Sequence, residues 1–534
     1  MDNKDFQPQQ NKNASIGKVK RSEHIYAVKV RTEGNGLGVI KTIGVAFLIA
    51  LQAVIMVAAY TFFVQAFKWY LVLAIIFTVL TCIYVLSSDI HGQAKAMWMF
   101  FLIVCFSFSY VIYWFSDKHV LFMRAKKKYK QISDQNKYLQ LQPDLKQIEN
   151  KEVKSICDYL YKTGNFVTHF DSKSHYFSSG AQLYDDVLEQ LEKAKEFIFI
   201  EFYIVSNGVL LNRVLDILKK KAKNGVDVRI IYDDMGSHGT IKRRTRDQII
   251  ESGIKLKSYN RLLPIFNLAL NLRDHRKIII IDGKVSYTGG TNLADEYINE
   301  KRMHGYWKDC GIKIEGKATD NLTIAFLSQW QYINKQESLD CTPFLNKAEK
   351  QEGEGVVVPF VSGPNNPFSI AQNMYSNQIA NAKEKLYIMT PYFIPDETIK
   401  NQLLNKARSG VDVRIILPEV ADKKMVYFVS RNNAEKLMKA GVKIYTMTSS
   451  FVHSKVMLSE NSAIVGSINT DLRSFYQQFE SAVFTSEKQT INEVEKDFIK
   501  TINHSKEITE QTKKRNKLYY RLLVGLLNLI SPFM

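Results

Sequence analysis

Cysteine is scarce in this chain of 534 residues. There are five, Cys82, Cys105, Cys157, Cys310 and Cys341, and no two of them make a CxxC pair. That spacing excludes a zinc ribbon or finger and offers no disulfide framework. Charge is missing altogether from three apolar stretches, Ile43 to Val64, Trp69 to Leu86 and Ala96 to Phe115. Each is long enough to cross a bilayer as a helix, and Trp98, Tyr110, Tyr113 and Trp114 lie toward the ends of the third, as in an interfacial belt. A cleaved signal peptide is a poor fit, because the first run starts only after about 40 mostly polar residues and is too long. Negative charge is in deficit: 72 Lys and Arg against 53 Asp and Glu leave a formal charge of +19. Such a balance suits nucleic acid or an anionic membrane. With spanning helices present, anionic lipid headgroups are the simpler partner, and no nucleic acid is expected.

Composition divides the chain into five parts. Residues 1–42 form a polar tail expected to be disordered. Residues 43–115 form a transmembrane segment of two or three helices. Residues 116–165 form a charged linker with helical character. Residues 166–345 and 346–534 form two α/β lobes, and an apolar C-terminal tail, Leu518 to Met534, suits an interfacial helix or a lobe surface. Basic residues flank the membrane segment on both sides, Lys18 to Lys41 before it and Arg124 to Lys130 after it. Both flanks therefore favour the cytoplasm, yet three full crossings would separate them. Either one segment is re-entrant or interfacial, or one flank loses. The denser cluster adjoins the lobes, so a multi-pass cell-membrane protein with cytoplasmic lobes is expected.

What is present, and twice, is a short motif. His275-Arg276-Lys277 is followed by four isoleucines, Asp282 and Gly289-Gly290-Thr291-Asn292. His453-Ser454-Lys455, 178 residues further on, is followed by Glu460 and Gly466-Ser467-Ile468-Asn469. One such motif would mean little; two matched copies, each with a downstream asparagine, point to function. Neighbouring stretches repeat as well. Ala194-Lys195-Glu196 and Ala382-Lys383-Glu384 each open a strand-like run, and Gly225-Val226-Asp227-Val228-Arg229 matches Gly410-Val411-Asp412-Val413-Arg414. A period of about 180 residues is too long for a solenoid and indicates two homologous domains. Each alternates strand and helix, so the fold class is α/β, with helices covering mixed sheets.

The residue types suit phosphoryl chemistry. A histidine can attack phosphorus as a nucleophile. A second can protonate the departing alkoxide and deprotonate the acceptor. Lysine and asparagine can donate hydrogen bonds to the charged phosphate oxygens. In each copy His and Lys sit two apart, which on a strand puts both on one face. Gly289, Gly290 and Gly466 fit a tight turn returning Asn292 or Asn469 to the phosphate. One histidine from each lobe implies a single site at a pseudo-twofold interface.

These residues resemble the phospholipase D superfamily, with its paired HxKxxxxD motifs, and within it bacterial cardiolipin synthase. Further support comes from Tyr306-Trp307-Lys308-Asp309, Thr390-Pro391-Tyr392-Phe393 and Asp471-Leu472-Arg473-Ser474-Phe475. The resemblance implies two phospholipase D-type sandwich lobes and a catalytic set of His275, Lys277, Asp282, His453, Lys455 and Glu460. It further implies supporting roles for Asn292, Asp309, Asn469 and Glu480. His275 would be the nucleophile and His453 the acid/base. Asp309 is expected to partner His275, and Glu480 to partner His453. Glu460 departs from the usual aspartate, but that acid tends to be structural in this fold. The implied activity is transfer of a phosphatidyl group from one phosphatidylglycerol to another, with hydrolytic phospholipase D as the alternative. No metal or cofactor is expected, since the lysines and asparagines would supply the charge stabilisation. No DGxxAR run with spaced aspartates is present, which disfavours a metal-dependent CDP-alcohol transferase.

Overall fold

The computed structural model describes residues 36–62, 64–116, 119–136, 141–261, 272–335, 338–366, 368–509 and 518–533. The polar tail before residue 36 and the apolar stretch 262–270 beside the first motif lie outside these. Two compact units are present, Met1–Phe67 and Lys68–Met534.

Ahead of the lobes run α1 (Gly36–Phe62), α2 (Val64–Ser87), α3 (Gly92–Val104), α4 (Ser109–Ser116), α5 (His119–Asn136) and α6 (Lys151–Gly164). Among the described residues one helical stretch, Phe67–Ser87, is long and apolar enough to cross a bilayer. The apolar run expected as a third spanning helix, Ala96 to Phe115, is two short helices separated at Cys105–Phe108. With 13 and 8 residues, and about 1.5 Å of rise each, neither crosses a hydrocarbon core of about 30 Å. Part of the expected linker is folded too. The α6 residues Val153, Ile156, Cys157 and Leu160 join the hydrophobic core of the second lobe.

β-branched and aromatic runs form the strands, and amphipathic stretches between them form the helices. The first lobe runs β1 (Ser172–Phe177), α7 (Gly180–Lys193), β2 (Phe197–Phe202), α8 (Val209–Lys223), β3 (Asp227–Asp233), α9 (Arg243–Glu251), β4 (Lys255–Tyr259), β5 (Arg273–Asp274), β6 (Lys277–Ile281), β7 (Val285–Gly289), β8 (Tyr306–Lys308), β9 (Gly311–Gly316) and α10 (Thr319–Asn334). The second begins with β10 (Val357–Ser362), α11 (Ile370–Asn381), β11 (Lys385–Met389), β12 (Phe393–Ile394), α12 (Glu397–Arg408), β13 (Asp412–Pro418), α13 (Lys424–Leu437) and β14 (Lys443–Met447). It continues with β15 (Ser450–Val452), β16 (Val456–Ser459), β17 (Ala463–Gly466), β18 (Thr470–Asp471), α14 (Leu472–Tyr476), β19 (Gln478–Thr485), α15 (Lys488–Asn503), β20 (Ser505–Glu507) and α16 (Leu518–Leu529).

The two main sheets repeat each other. The first is ordered β1-β9-β7-β6-β2-β3-β4 and the second β10-β19-β17-β16-β11-β13-β14, with β20 added at the edge. In both, the strand after the HxK motif, β6 or β16, lies antiparallel to the second strand of its lobe, β2 or β11, which runs parallel to β3 or β13. The sheets pack face to face. Ile278, Ile280, Ile312 and Ile314 of the first share one core with Val456, Leu458, Val465 and Val483 of the second. Helices α7 and α8 cover the outer face of the first sheet, and α11 and α12 that of the second. Strands β6 and β16 are therefore buried on both faces, which is why their sequences are unbroken apolar runs.

Two short pairings cross between lobes. Strand β5, immediately before His275, runs parallel to the start of β19. Strand β15, immediately before His453, runs parallel to β8. These exchanges build the site.

Candidate active site

The backbone N–H of His275 donates to the Phe479 carbonyl at 2.8 Å, and that of His453 donates to the Lys308 carbonyl at 2.7 Å. Each histidine is thus anchored one residue before an acid of the opposite lobe. His275 Nδ1 lies 3.0 Å from both carboxylate oxygens of Glu480. His453 Nδ1 lies 2.6 Å from Asp309 Oδ2. The expected partners are exchanged: Glu480 serves His275, and Asp309 serves His453. The physical reason is the crossed strand pairing, which gives each histidine a backbone neighbour from the other lobe. With Nδ1 held by a carboxylate, each ring keeps Nε2 for chemistry.

Lys277 and Lys455 are buried beside the rings. Lys277 Nζ donates to the His275 carbonyl at 2.6 Å, and Lys455 Nζ donates to the His453 carbonyl. Burial, opposed by Glu480, pushes Lys277 down to about 7. Burial pushes Lys455 down to about 8. His275 is held well below the ordinary histidine value by burial first, and then by the charges of Lys277 and Lys455. Burial and Lys455 lower His453 to about 4, against the pull of Asp309. Burial raises Glu480 to about 8. Both imidazoles are therefore neutral at pH 7, as a nucleophile requires.

This pattern sets a pH profile. Depressed lysines lose their charge as pH rises through 7 to 8, while the histidines stay neutral below their ordinary value. The rate constant kcat/KM, which reports the free enzyme, is shaped between about 7 and 8 by Lys277, Lys455 and Glu480 together, and should fall above 8, where both lysines have lost their charge and Glu480 is already ionised. It should show no acid limb at 6.5. Initial rates across pH check this; an acid limb at 6.5 with a flat alkaline side would contradict the charge assignment.

Asp282 and Glu460 do not join the histidines. The Asp282 carboxylate accepts from the backbone N–H groups of Lys195, Glu196 and Phe197 at 2.8, 2.8 and 2.9 Å. It fixes the start of β2, roughly 16 Å along the strand from Lys277 at about 3.3 Å per residue. Glu460 does the same for β11 through Lys383, Glu384 and Lys385, more loosely, at 2.8, 3.5 and 3.4 Å. Their grouping with the catalytic residues is corrected: they cap strands. Asn292 is engaged by its own loop, accepting from Ile204 N–H at 3.0 Å and donating to Tyr297 Oη at 2.6 Å. Asn469 is buried, and its Oδ1 has no partner.

The glycines act by closeness rather than by turning. Gly290 has no left-handed φ. A Cβ there would come within 2.1 Å of Asp309 Oδ1 and 2.9 Å of the His453 carbonyl. The matching position in the second repeat is Ser467, whose hydroxyl donates to Glu480. The sequence reading passed over that serine, although the difference between Gly290 and Ser467 is visible in the aligned repeats. It also passed over the aromatic walls. Tyr203 stands edge-on to His275 at 5.2 Å, and Tyr297 and Trp307 each lie 5.4 Å from the His453 ring. Trp307 lies in a stretch quoted for the resemblance and Tyr297 five residues after Asn292, but nothing in their spacing marks them as walls.

Residues 187–306 and 375–502 match the family described as cardiolipin synthase, PLD-like domain. The chain is 35% identical over 382 residues to an uncharacterised protein of Streptococcus mutans, covering 71% of this chain and 82% of that one. It is 33% identical over 376 residues to the cardiolipin synthase of Alkalihalophilus pseudofirmus, covering 70% and 75% respectively. The fold is shared with the crystal structure of phosphatidylserine synthase from Haemophilus influenzae, at a TM-score of 0.55 and 15% identity, covering 72% of this chain and all of that one. The doubled HxK strands, the repeated sheet and these likenesses agree, and the chain belongs to the cardiolipin synthase family of phospholipase D-like proteins.

Proposed function

We propose that the chain is a membrane-bound phosphatidyltransferase that makes cardiolipin from two phosphatidylglycerols. The observation that carries this reading is the convergence of two histidine–carboxylate pairs and two buried lysines on one site between the lobes. His275 Nε2 attacks the phosphorus of one phosphatidylglycerol, forming a P–N bond as the P–O bond to glycerol breaks. His453 gives its proton to the departing glycerol oxygen. The terminal hydroxyl of a second phosphatidylglycerol then loses its proton to His453 and attacks the phosphohistidine. Cardiolipin leaves and His275 is restored. Lys277 and Lys455 are depressed in the empty site by burial. An entering phosphodiester anion restores their positive form and favours a protonated His453, so charge is matched when substrate arrives. Asn469, buried and with an unpartnered amide oxygen, is assigned as an acceptor for a headgroup hydroxyl.

The cluster Arg124 to Lys130, which follows the apolar segment and suits anionic lipid, supports lobes on the cytoplasmic face. The test is a product assay on the full-length protein in liposomes with labelled phosphatidylglycerol and EDTA. Cardiolipin with free glycerol is expected. Phosphatidic acid alone would make water the acceptor and the protein a hydrolase.

A further inference from the structure

The interrupted helix pair α3–α4 carries an inference about how the protein meets the bilayer. The Cys105–Phe108 break frees backbone carbonyls in an apolar setting, where each unmet group is costly. Helix α2 meets two of them. Thr78 Oγ1 donates to the Phe106 carbonyl at 2.7 Å, and Tyr70 Oη donates to the Ser107 carbonyl at 3.0 Å. Cys105 accepts from Ser109 N–H and Oγ, both at 2.9 Å. The break is therefore built rather than frayed.

The chain path follows from the α2 residues that each position touches. Lys95 Nζ donates to the Leu86 carbonyl, and Phe106 is met by Thr78, so α3 descends from the Ser87 end of α2. Beyond the break the partner numbers rise again. Tyr110 stacks on Phe77 at 5.9 Å, and Trp114 donates to Thr81 Oγ1 at 3.0 Å and packs on Tyr84 at 5.0 Å. Tyr113 returns to Trp98 on α3 at 5.0 Å. Helix α4 therefore climbs back toward the end from which α3 came.

We propose that α3 and α4 form a re-entrant hairpin that enters and leaves one leaflet without crossing, and that the catalytic lobes rest on that leaflet. The break meets α2 from Thr78 to Tyr70, which at the helical rise lie about 14 and 26 Å from Ser87, short of a full hydrocarbon core of about 30 Å. Polar Asp89, His91 and Lys95 cluster at the mouth of the hairpin. There His91 stacks on Tyr476 of α14 at 4.6 Å. The same α14 carries Arg473, whose charge reaches His275. Helix α16 packs on both α3 and α13, burying Val524 and Leu527 and leaving Leu522, Leu523 and Leu526 exposed. Gln477 Nε2 ties α14 to the Pro532 carbonyl at 2.7 Å. Hairpin, C-terminal helix and active-site rim thus form one surface whose partner is a lipid leaflet, the source of both proposed substrates.

The inference rests on the membrane-bound reading, and one experiment separates the two. Full-length protein with its cysteines replaced would carry Ser88→Cys or Ser116→Cys, with Cys105 restored in a third variant. Each is treated with impermeant maleimide in sealed right-side-out and inverted vesicles. Ser88→Cys and Ser116→Cys should label at least tenfold more in the same orientation. Cys105 should resist the reagent in both and react after detergent. Labelling of the two serine positions from opposite sides would show a crossing and overturn the hairpin. Release of the protein by alkaline carbonate would overturn the membrane reading itself. Asp89→Cys and Asp134→Cys give the same comparison if either serine variant fails to insert.

Discussion

Replacing either of the proposed catalytic histidines, His275 or His453, by alanine should lower phosphatidyl transfer by roughly 10⁴-fold or more, the scale seen when a member of a nucleophile–base set is removed. The two losses differ in kind. His275 is assigned the covalent bond and His453 the proton transfers, and both are neutral when the site is empty. A phosphatidyl ester of p-nitrophenol separates the roles, because its leaving group needs no proton. His453→Ala should still release a burst of about one nitrophenol per site and then stall with the phosphatidyl group on His275. His275→Ala should give no burst. The opposite pattern would make His453 the nucleophile, and normal turnover in both variants would remove both residues from the mechanism. Folding of each variant is checked by its thermal transition, since a lost transition would mimic lost chemistry.

Much of this site was legible in the sequence because its signals are local. His and Lys two apart on a strand, four buried isoleucines and the repeat of about 180 residues all report on short stretches. The sandwich followed from them, since a strand buried on both faces needs a second layer. The errors fell where a decision depended on contacts between elements distant in sequence. Asp309 lies 34 residues after His275 in the same repeat, and proximity in sequence favoured that pair. The β5–β19 and β8–β15 pairings reverse it, and a two-residue strand leaves no periodic signal. Asp282 looked catalytic because it belongs to the motif, yet its role is to hold the neighbouring strand's N–H groups. The uncharged run from Ala96 to Phe115 looked like one spanning helix because hydropathy does not register a break whose carbonyls are satisfied by Thr78 and Tyr70.

The exchanged carboxylates give the second large effect. Glu480→Gln and Asp309→Asn should each lower turnover by about 10²- to 10⁴-fold, because an amide no longer holds the productive tautomer of its histidine. Their consequences should follow the contacts across the lobes. Glu480 faces the Nδ1 of His275 with both oxygens and receives the Ser467 hydroxyl. Glu480→Gln should therefore slow the nitrophenol burst itself. Asp309 touches His453 at 2.6 Å. Asp309→Asn should leave the burst and slow the subsequent turnover. Pairing within each lobe would produce the reverse. Non-additivity tightens the test. If Glu480 acts through His275, adding Glu480→Gln to His275→Ala should cost little further activity, whereas adding Asp309→Asn should cost more. A Glu480 effect undiminished in the His275→Ala background would mean that the carboxylate acts elsewhere. The crossed pairing also makes each half of the site depend on both lobes: separated, each histidine would lose the acid that orients it.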